Sequence, residues 1–447
     1  MAGIFKAYDI RGIYGKTLTD DMAFRIGRAF ATFLHCRKVV VGRDMRPHSK
    51  PLFEALARGL TMQGADVIDI GLCSTPMSYY SNGSLEADGS IMITASHNPG
   101  EWNGFKLCRA KAVPISGLTG IPEIERLVNE NAFAPVAAQP GRVTTYDVVP
   151  DYLAHIRRSA HLDMPRPVQI AVDFANGMGI YEAKVLEGLI GMTRLFDTLD
   201  GTFPNHEANP LKLETLATLC QTVKAGHFDF GVAFDGDADR AGFVDETGAI
   251  VPMDMITALI ASSILQHQKG VIYYDLRSSW TVKEVITENG GCPMMSRVGH
   301  AFIKQQMRES NAVFAGELSG HYYFRDNFFT ESAALAVLYV ANIVTHSGKT
   351  LSQLIKPFQR YFASGEINSE VEDSQAVLAQ LRAKYTGGRA FELDGLSVEY
   401  PDWWFNVRCS NTEPLVRLNI EAKTEAAMRV RRDELLAIIR AKRTSGN

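Results

Sequence analysis

A buried-strand pattern that ends in a polar loop occurs twice in each of three successive stretches of the chain. The first strands of the three pairs end at Asp44, Asp173 and Asp275. The second strands run into loops that begin at Thr94, Asp235 and Gly316. Continuous apolar strands of this kind are typical of parallel sheets whose faces are covered by helices. The recurrence therefore predicts three similar α/β modules with mixed sheets.

The last part of the chain, from about Glu366, has a different pattern. A polar helix is predicted over 374–385 and a charged helix at the end, with strands near 396–400, 403–407 and 416–421. This order is typical of an α+β domain, and 447 residues are too many for one core. We therefore predict four domains around a central cleft, with boundaries at 1–140, 141–249, 250–362 and 363–447.

Composition excludes several kinds of partner. The chain is 46% hydrophobic and 21% charged, with a net charge of -4, so a broad nucleic-acid-binding surface is not expected. The longest apolar run, 333–341, is too short to span a bilayer and predicts a buried helix, so no membrane partner is expected. The six cysteines are scattered, and the amino terminus has no signal-peptide pattern. Both features predict a cytoplasmic protein with reduced thiols.

A serine follows the predicted strand at 89–94, in the stretch Thr94-Ala95-Ser96-His97-Asn98-Pro99-Gly100. The Asn-Pro-Gly sequence cannot continue a strand, so Ser96 should lie on a turn beyond the strand's carboxyl end. Open α/β sheets place their ligand loops at that edge. With His97 beside it and Lys106 ten residues on, Ser96 suits a nucleophile or a phosphate carrier. An ordinary polar turn is the alternative interpretation.

Three carboxylates lie within five residues in Asp235-Gly236-Asp237-Ala238-Asp239, which Arg240 follows. Such carboxylates repel one another unless a cation lies among them, and oxygen ligands suit a hard divalent ion such as Mg²⁺. A calcium-binding EF-hand also has aspartates at this spacing and would use Glu246 at its twelfth position. Arg240, however, stands where that motif requires glycine. We predict a Mg²⁺ site, and a solvated acidic turn is the alternative.

Two later loops carry groups that suit a phosphorylated sugar. Glu317, Ser319 and His321 alternate after a strand, and this spacing predicts that they share one side of an extended loop, facing vicinal hydroxyls. A cradle for a phosphate is predicted from guanidinium, hydroxyl and amide groups near the carboxyl end. These groups belong to Arg408, Ser410, Asn411, Thr412 and Arg417. Ordinary turns between strands are the alternative for both loops.

The Ser-His-Asn-Pro stretch, followed by Asn-Gly-Phe-Lys at 103–106, resembles the phosphoserine loop of the α-D-phosphohexomutases, the phosphomannomutase/phosphoglucomutase family. The motifs around Asp235, Glu317 and Arg408 follow in the family's order, and the resemblance extends from Tyr8 to Arg417. It implies an isomerase that interconverts hexose 1-phosphate and hexose 6-phosphate, of mannose or glucose. The implied route passes through a phosphoserine and a hexose 1,6-bisphosphate, which would also activate the enzyme. Mg²⁺ is the implied cofactor and a phosphosugar the implied partner.

The resemblance also implies a role for each matched residue. The phosphate on Ser96 would bind Mg²⁺ together with Asp235, Asp237 and Asp239. The implied catalytic residues are Ser96, His97, Lys106, Arg11 and His321. The implied substrate-binding residues are Tyr8, Arg240, Arg277, His300, Glu317, Ser319, Arg408, Ser410, Asn411, Thr412 and Arg417. Arg277 stands where family members often carry lysine, and its forked guanidinium can change contacts to the sugar.

Several points stay open at this stage. The loop from Glu317 to His321 looks more like that of the mannose/glucose members, and phosphoglucosamine mutase is the alternative within the family. A phosphatase that uses the same phosphoserine, and a non-catalytic phosphosugar sensor, are alternatives of other classes. A mutase ranks first because every part that it needs is present. The sequence does not identify the general acid, the general base or the oligomeric state.

Overall fold

The computed structural model describes residues 3–409 and 415–441. Four separate sheets follow one another along the chain, and each sheet with its helices is called a unit below. Their strands lie within residues 10–145 in the first unit, 169–251 in the second, 271–331 in the third and 362–422 in the C-terminal unit.

The first unit has seven strands and four helices. Its strands are β1 (Ile10–Ile13), β2 (Lys38–Arg43), β3 (Asp66–Leu72), β4 (Gly89–Ile93), β5 (Trp102–Arg109), β6 (Val113–Pro114) and β7 (Val143–Thr145). Its helices are α1 (Asp20–Leu34), α2 (Ser49–Met62), α3 (Thr75–Ser84) and α4 (Ile121–Glu130). The helices α1 and α3 begin where the hydroxyls of Thr19 and Ser74 accept hydrogen bonds from backbone N–H groups of the first turn.

The second and third units are built from the same kinds of element. The second contains α5 (Val149–Ser159), β8 (Gln169–Asp173), α6 (Gly179–Leu186), β9 (Gly191–Leu195), α7 (Ala217–Ala225), β10 (Phe230–Phe234), β11 (Ala241–Asp245) and β12 (Ile250–Val251). The third contains α8 (Met253–His267), β13 (Val271–Asp275), α9 (Trp280–Glu288), β14 (Cys292–Ser296), α10 (His300–Ser310), β15 (Phe314–Gly316), β16 (Tyr322–Phe324), β17 (Thr330–Glu331), α11 (Ala333–Ser347) and α12 (Leu351–Ile355).

The C-terminal unit has an antiparallel sheet, as predicted for an α+β module. It contains β18 (Phe362–Ala363), β19 (Ile367–Glu370), α13 (Ser374–Lys384), β20 (Arg389–Phe391), β21 (Leu396–Glu399), β22 (Trp403–Cys409), β23 (Leu415–Ala422) and α14 (Glu425–Ile439). Its apolar core is a separate cluster drawn from residues 378–439. By contrast, one continuous cluster joins apolar residues of the first three units, from Val40 to Ile355.

The first three units share one topology, which confirms the predicted repeat. In each unit a central strand has parallel neighbours on both sides: β2 lies between β3 and β4, β8 between β9 and β10, and β13 between β14 and β15. The third strand of each trio then turns back into an antiparallel partner, giving the pairs β4–β5, β10–β11 and β15–β16. The loops that carry Ser96, Asp235 and Glu317 are therefore equivalent turns in three copies of one unit.

Two sequence expectations outside the site can also be checked. The apolar run at 333–341 forms the buried first part of α11, and within the described ranges no helix is long and apolar enough to cross a membrane. All six cysteines are free thiols.

A buried carboxylate, Glu182 on α6, lies where the first three units meet. Its oxygens accept hydrogen bonds from Tyr152 on α5 (2.9 and 3.0 Å) and from the N-cap Ser74 of α3. The backbone of Ala334, at the start of α11, also contacts it. Burial raises the pKa of Glu182 from 4.5 to about 7.

We predict that Glu182 makes the stability of the three-unit body depend on pH. The folded protein keeps a proton on Glu182 that the unfolded chain releases, so the contribution of Glu182 to stability is greatest below pH 4.5 and is lost as the pH rises to about 7. The loss is at most about 3 kcal/mol. Glu182→Gln imitates the protonated carboxyl and should flatten this part of the profile, measured as unfolding midpoints between pH 5 and 8. The exposed Glu54→Gln on α2 is the control, and equal slopes in Glu182→Gln and wild type would contradict the prediction.

Candidate active site

The serine loop, residues 94–101, connects β4 to β5 and presents Ser96 toward the second unit. Ser96 is buried and has a left-handed backbone, with φ of 51°. Its Oγ donates a hydrogen bond to Asp235 Oδ2 at 2.9 Å and lies 3.1 Å from His97 Nδ1. A serine in this conformation costs roughly 1–3 kcal/mol, so the surrounding contacts must hold it.

Two arginines hold the serine loop, and sequence analysis identified only one of them. Arg11 donates to the carbonyl of Ala95 at 3.1 Å and to the side chain of Asn98, and it pairs with Asp9 at 2.7 Å. Arg46, which was missed, is fully buried and donates to four backbone carbonyls at 2.7–2.9 Å. Those carbonyls belong to Ser96, Asn98, Pro99 and Trp102. Arg46 thus fixes the backbone that carries the serine.

Comparison of the repeated units in the sequence indicates a functional role for Arg46. It follows β2 in Asp44-Met45-Arg46, whereas Arg277 follows the equivalent strand β13 in Asp275-Leu276-Arg277. Each arginine pairs with the aspartate of its own triplet, at 3.1 Å in the first unit and 2.6 Å in the third. Aligning the units would therefore have placed Arg46 beside Arg277 as a candidate.

The aspartate loop, residues 235–240, brings three buried carboxylates together. Asp235, Asp237 and Asp239 each offer one oxygen within 4.8 Å of the others. The backbone N–H groups of Asp239 and Arg240 donate to Asp235 Oδ1 at 3.1 and 3.2 Å, which folds the loop around that side chain. Close approach to the serine loop requires glycine at 236, because a Cβ there would lie 2.3 Å from the carbonyl oxygen of Ser96.

Lys106, on β5, supplies positive charge to this loop. Its Nζ lies 2.7 Å from Asp237 Oδ2 and 2.5 Å from Asp239 Oδ2. Burial opposes the charge on Lys106, but the two carboxylates outweigh that effect and raise its pKa. Thr75, a residue that sequence analysis missed, donates its hydroxyl to Asp237 at 2.5 Å.

The carboxylates are suited to a divalent cation. Burial and the neighbouring carboxylates of Asp239 and Asp237 raise the pKa of Asp235, although Arg240 and Lys106 act in the opposite direction. Asp237 Oδ1 is buried and has no hydrogen-bond partner among the residues that the structure describes, so it can act as a ligand. Buried oxygen atoms arranged in this way match the preference of Mg²⁺ for oxygen ligands.

A second group of possible metal ligands joins Asp239 to His321 and Glu331. Glu331, however, is already paired with the buried ammonium of Lys304 at 3.0 Å. The positive charge of Lys304 compensates that carboxylate, so the aspartate loop is the better candidate for a cation.

The sugar loop, residues 317–321, brings Glu317, Ser319 and His321 together through a tight turn, whereas an extended segment was predicted. Ser319 Oγ lies 2.8 Å from His321 Nδ1, and Glu317 Oε2 lies 3.3 Å from the same nitrogen. The loop is a tight turn and not an extended segment, because Gly320 N–H donates to Glu317 O at 3.0 Å and has φ of 83°. The expectation of an alternating extended loop was therefore wrong, although the residues do come together.

His321 connects the sugar loop to the aspartate loop. Its Nε2 lies 3.3 Å from Asp239 Oδ1 and 3.2 Å from Arg240 Nε. Burial disfavours the imidazolium, but Asp239 and Glu317 outweigh it and raise the pKa of His321 to about 9. The opposite holds for His97, since burial and the guanidiniums of Arg240 and Arg11 lower its pKa well below the usual value. The pKa values of the two imidazoles are therefore shifted in opposite directions.

Tyr8 and His300 meet at the boundary between the first and third units. Tyr8 donates to the carbonyl of Val298 at 3.1 Å, and its ring centroid lies 5.9 Å from that of His300. His300 begins α10 and stacks at 6.3 Å on His321. Burial and Lys304 lower the pKa of His300 well below the usual value.

The predicted phosphate cradle is described only in part. Arg408 on β22 and Arg417 on β23 lie opposite each other in the sheet. Glu366, which sequence analysis did not single out, lies between Arg408 (2.6 Å), Arg417 (3.7 Å) and Arg277 of the third unit (3.6 Å). Ser410, Asn411 and Thr412 lie outside the described residues.

The predicted residues that are described form one connected set. Ser96 is hydrogen-bonded to Asp235 of the aspartate loop. Asp239 of that loop lies 3.3 Å from His321, which lies 3.3 Å from Glu317 within the sugar loop. The N–H of Leu318 in that loop donates to Asp275 at 2.8 Å, and Asp275 pairs with Arg277. Arg277 and Arg408 then share Glu366, so the contacts extend across all four units.

Comparisons with known proteins agree with this arrangement. Four models of the phosphoglucomutase/phosphomannomutase family match in order: alpha/beta/alpha domain I at 2–135, domain II at 150–248, domain III at 252–361 and the C-terminal domain at 366–438. An Escherichia coli phosphomannomutase is 41% identical, with 98% of this chain and 99% of the relative covered. A phosphohexose mutase of Xanthomonas campestris is 40% identical, with 95% of this chain and 96% of the relative covered.

Solved structures show the same fold. A phosphoglucomutase/phosphomannomutase family protein of Burkholderia thailandensis superposes with a TM-score of 0.91 at 33% identity, covering 99% of this chain and 98% of that one. An Aspergillus fumigatus N-acetylphosphoglucosamine mutase, solved with GlcNAc-6P and magnesium, has a TM-score of 0.66 at 16% identity and shares the fold over 98% of this chain and 96% of its own. A further structure of that fungal enzyme contains glucose 1,6-bisphosphate.

Family models match the whole succession of units, and full-length relatives share about two residues in five with this chain. The chain therefore belongs to the phosphoglucomutase/phosphomannomutase family, the α-D-phosphohexomutases, which interconvert hexose 1-phosphates and hexose 6-phosphates.

Proposed function

We propose that this enzyme acts on mannose and glucose phosphates and that Ser96 carries the phosphoryl group. The observation that carries the proposal is the contact of Ser96 Oγ with Asp235 at 2.9 Å, inside a cluster that includes Asp237, Asp239 and Lys106. This is a hydroxyl surrounded by groups that neutralise phosphoryl oxygens or bind a cation. Such charge compensation is the main contribution of a protein to phosphoryl transfer.

In the first half-reaction the free 6-hydroxyl of a hexose 1-phosphate attacks the phosphorus on Ser96. A bond forms between the sugar oxygen and phosphorus, and the bond from phosphorus to Ser96 Oγ breaks. The hydroxyl proton passes to a base, and Ser96 Oγ takes up a proton from an acid. His97, which lies 3.1 Å from Oγ and has a lowered pKa, and His321, which has a raised pKa, are the candidates for moving these protons. Lys106 and Arg240 contribute positive charge, and Arg11 holds the serine loop.

The product of that step is a hexose 1,6-bisphosphate, which must turn end for end. Ser96 Oγ then gives up its proton and attacks the phosphorus at position 1. The bond from that phosphorus to the sugar oxygen breaks, the sugar oxygen takes up a proton, and hexose 6-phosphate leaves. The phosphoserine is restored, so a trace of the bisphosphate should activate enzyme that has lost its phosphate. Glu317, Ser319 and His300 would bind the sugar with Tyr8, while Arg277, Arg408, Arg417 and the segment with Ser410, Asn411 and Thr412 would bind its phosphate.

Mg²⁺ fits the aspartate loop, where Asp235, Asp237 and Asp239 would bind it together with the phosphate on Ser96. When bound, the ion supplies charge that stabilises the transferring phosphoryl group. The magnesium in the distant fungal relative agrees with this choice of metal.

In this proposal each of the four domains predicted from the sequence carries one part of the site. Residues 1–140 carry the phosphoserine, 141–249 the metal site, 250–362 the sugar loop and 363–447 the phosphate cradle. The partner is a phosphosugar, and a cytoplasmic location stays a prediction.

Removal of the Ser96 hydroxyl tests its role as the phosphate carrier. Ser96→Ala should lose the phosphate that intact-mass measurement detects on the wild type, and turnover of mannose 1-phosphate should fall by about a thousandfold or more, because the nucleophile is gone. Ser84→Ala, at the exposed end of α3, should keep both the phosphate and the activity. Near-normal turnover by Ser96→Ala would exclude a phosphoserine mechanism.

Neutralising Asp237 tests whether its carboxylate is a ligand of Mg²⁺. Asp237→Asn should weaken Mg²⁺ binding and lower turnover by about a hundredfold or more, because one negative ligand is lost. Calorimetric titration with Mg²⁺ measures the affinity, and Asp197→Asn on the surface of the same unit is the control. An unchanged affinity in Asp237→Asn would show that Asp237 is not a ligand.

A further inference from the structure

A single carboxylate, Glu366, lies among three arginines of the proposed phosphate site. Its oxygens are 2.6 Å from Arg408 Nη2, 3.6 Å from Arg277 Nη1 and 3.7 Å from Arg417 Nη1. Glu366 lies between β18 and β19 of the C-terminal unit and directly precedes β19. One internal anion therefore bridges guanidiniums from both units.

The positive charges of the neighbouring arginines stabilise the carboxylate of Glu366 although it is largely buried. The side chains of Arg277 and Arg408 are 8% and 9% exposed, and that of Glu366 is 24% exposed. Burial opposes the charge on Glu366, but Arg408 and Arg277 outweigh it and lower its pKa. Glu366 is accordingly ionised at neutral pH and neutralises part of the arginine cluster.

The arginines nevertheless retain capacity for another anion. The Nε atoms of Arg408 and Arg417 are buried, and neither has a hydrogen-bond partner among the described residues. Arg277 is also paired with Asp275 at 2.6 Å, so it keeps its place if Glu366 moves away. A phosphate dianion carries twice the charge of Glu366 and can accept several hydrogen bonds at once.

The C-terminal unit is held to the third unit by polar contacts near this cluster. Trp280, at the start of α9, donates from its backbone N–H to Glu421 and from its indole to Glu399, both at 2.9 Å. Because the C-terminal unit has its own apolar core, local changes in its contacts need not disturb the core shared by the other units.

We propose that Glu366 is an internal competitor for the phosphate site: it occupies the arginines when no substrate is bound, and the phosphate of the sugar displaces it. This inference rests on the proposed function of the cluster. Without Glu366, Arg408 and Arg417 would lose their counter-charge while Arg277 kept Asp275, so the cluster would bind a phosphate dianion more tightly and release it more slowly. Glu366 weakens the ground-state binding of the phosphate, and this weakening favours release of the bisphosphate when it must turn over.

Binding of inorganic phosphate and of glucose 1-phosphate tests the competition. The titrations use the Ser96→Ala background, in which the sugar cannot turn over. Adding Glu366→Gln should lower the Kd for both ligands by about tenfold, the scale of one charge-assisted contact. Glu370→Gln, a matched loss of an exposed carboxylate at the end of β19, should leave both Kd values unchanged.

Two further variants show whether the tighter binding depends on Arg408 and provide a measurement if Glu366→Gln does not fold. The tighter binding should vanish when Arg408→Ala is combined with Glu366→Gln, because the gain depends on the freed arginine. Glu366→Asp, which keeps the charge but reaches less far, should also bind phosphate more tightly than its parent, and it provides the measurement if the glutamine variant does not fold. An unchanged or higher Kd in these variants would overturn the inference and assign Glu366 to positioning the arginines. Mutase activity of the unmodified enzyme tests the proposed function separately, since the inference can fail while that activity is present.

Discussion

The contact between Ser96 and the buried aspartate loop places the phosphoryl carrier and the proposed metal ligands side by side. It joins two units of the chain, and both sides of it are constrained. Ser96 has a left-handed backbone held by Arg46 and Arg11, while Gly236 leaves room for the carbonyl of Ser96. Lys106 and Arg240 balance part of the carboxylate charge, and Asp237 Oδ1, which has no hydrogen-bond partner among the described residues, is available to a divalent cation. The chemistry proposed for this enzyme depends on that balance.

The repeat explains how four units can serve one reaction. Three copies of one sheet topology each present the turn after the third parallel strand, and the three turns carry the serine, the metal ligands and the sugar-binding groups. A shared apolar core holds these three units together, whereas the C-terminal unit has a separate core and polar contacts. This division suits a reaction in which the phosphate site must bind and release a substrate that turns over.

Much of the fold could be predicted because strands in covered sheets are apolar and end at polar loops. The predicted strand at 230–234 coincides with β10, and the repeat itself was visible in the sequence. Contacts between distant backbone segments were not visible: Arg46 acts through carbonyls about fifty residues away, and only its position in the repeat, equivalent to that of Arg277, indicates a role. Thr75 was missed because its partner Asp237 comes from another unit, and Glu366 because its three arginines are distant from it in sequence. The alternating side chains predict an extended sugar loop, but the positive φ of Gly320 turns the loop instead.

The origin of the phosphate in the product tests the central claim most directly. Unlabelled phosphoenzyme is mixed with a stoichiometric amount of glucose 1-phosphate that carries ³²P, and both product and protein are analysed after one turnover. If Ser96 donates its own phosphoryl group and takes up the one from position 1, the glucose 6-phosphate is unlabelled and the label is found on Ser96. Label that remains on the sugar, with none on Ser96, would contradict the account.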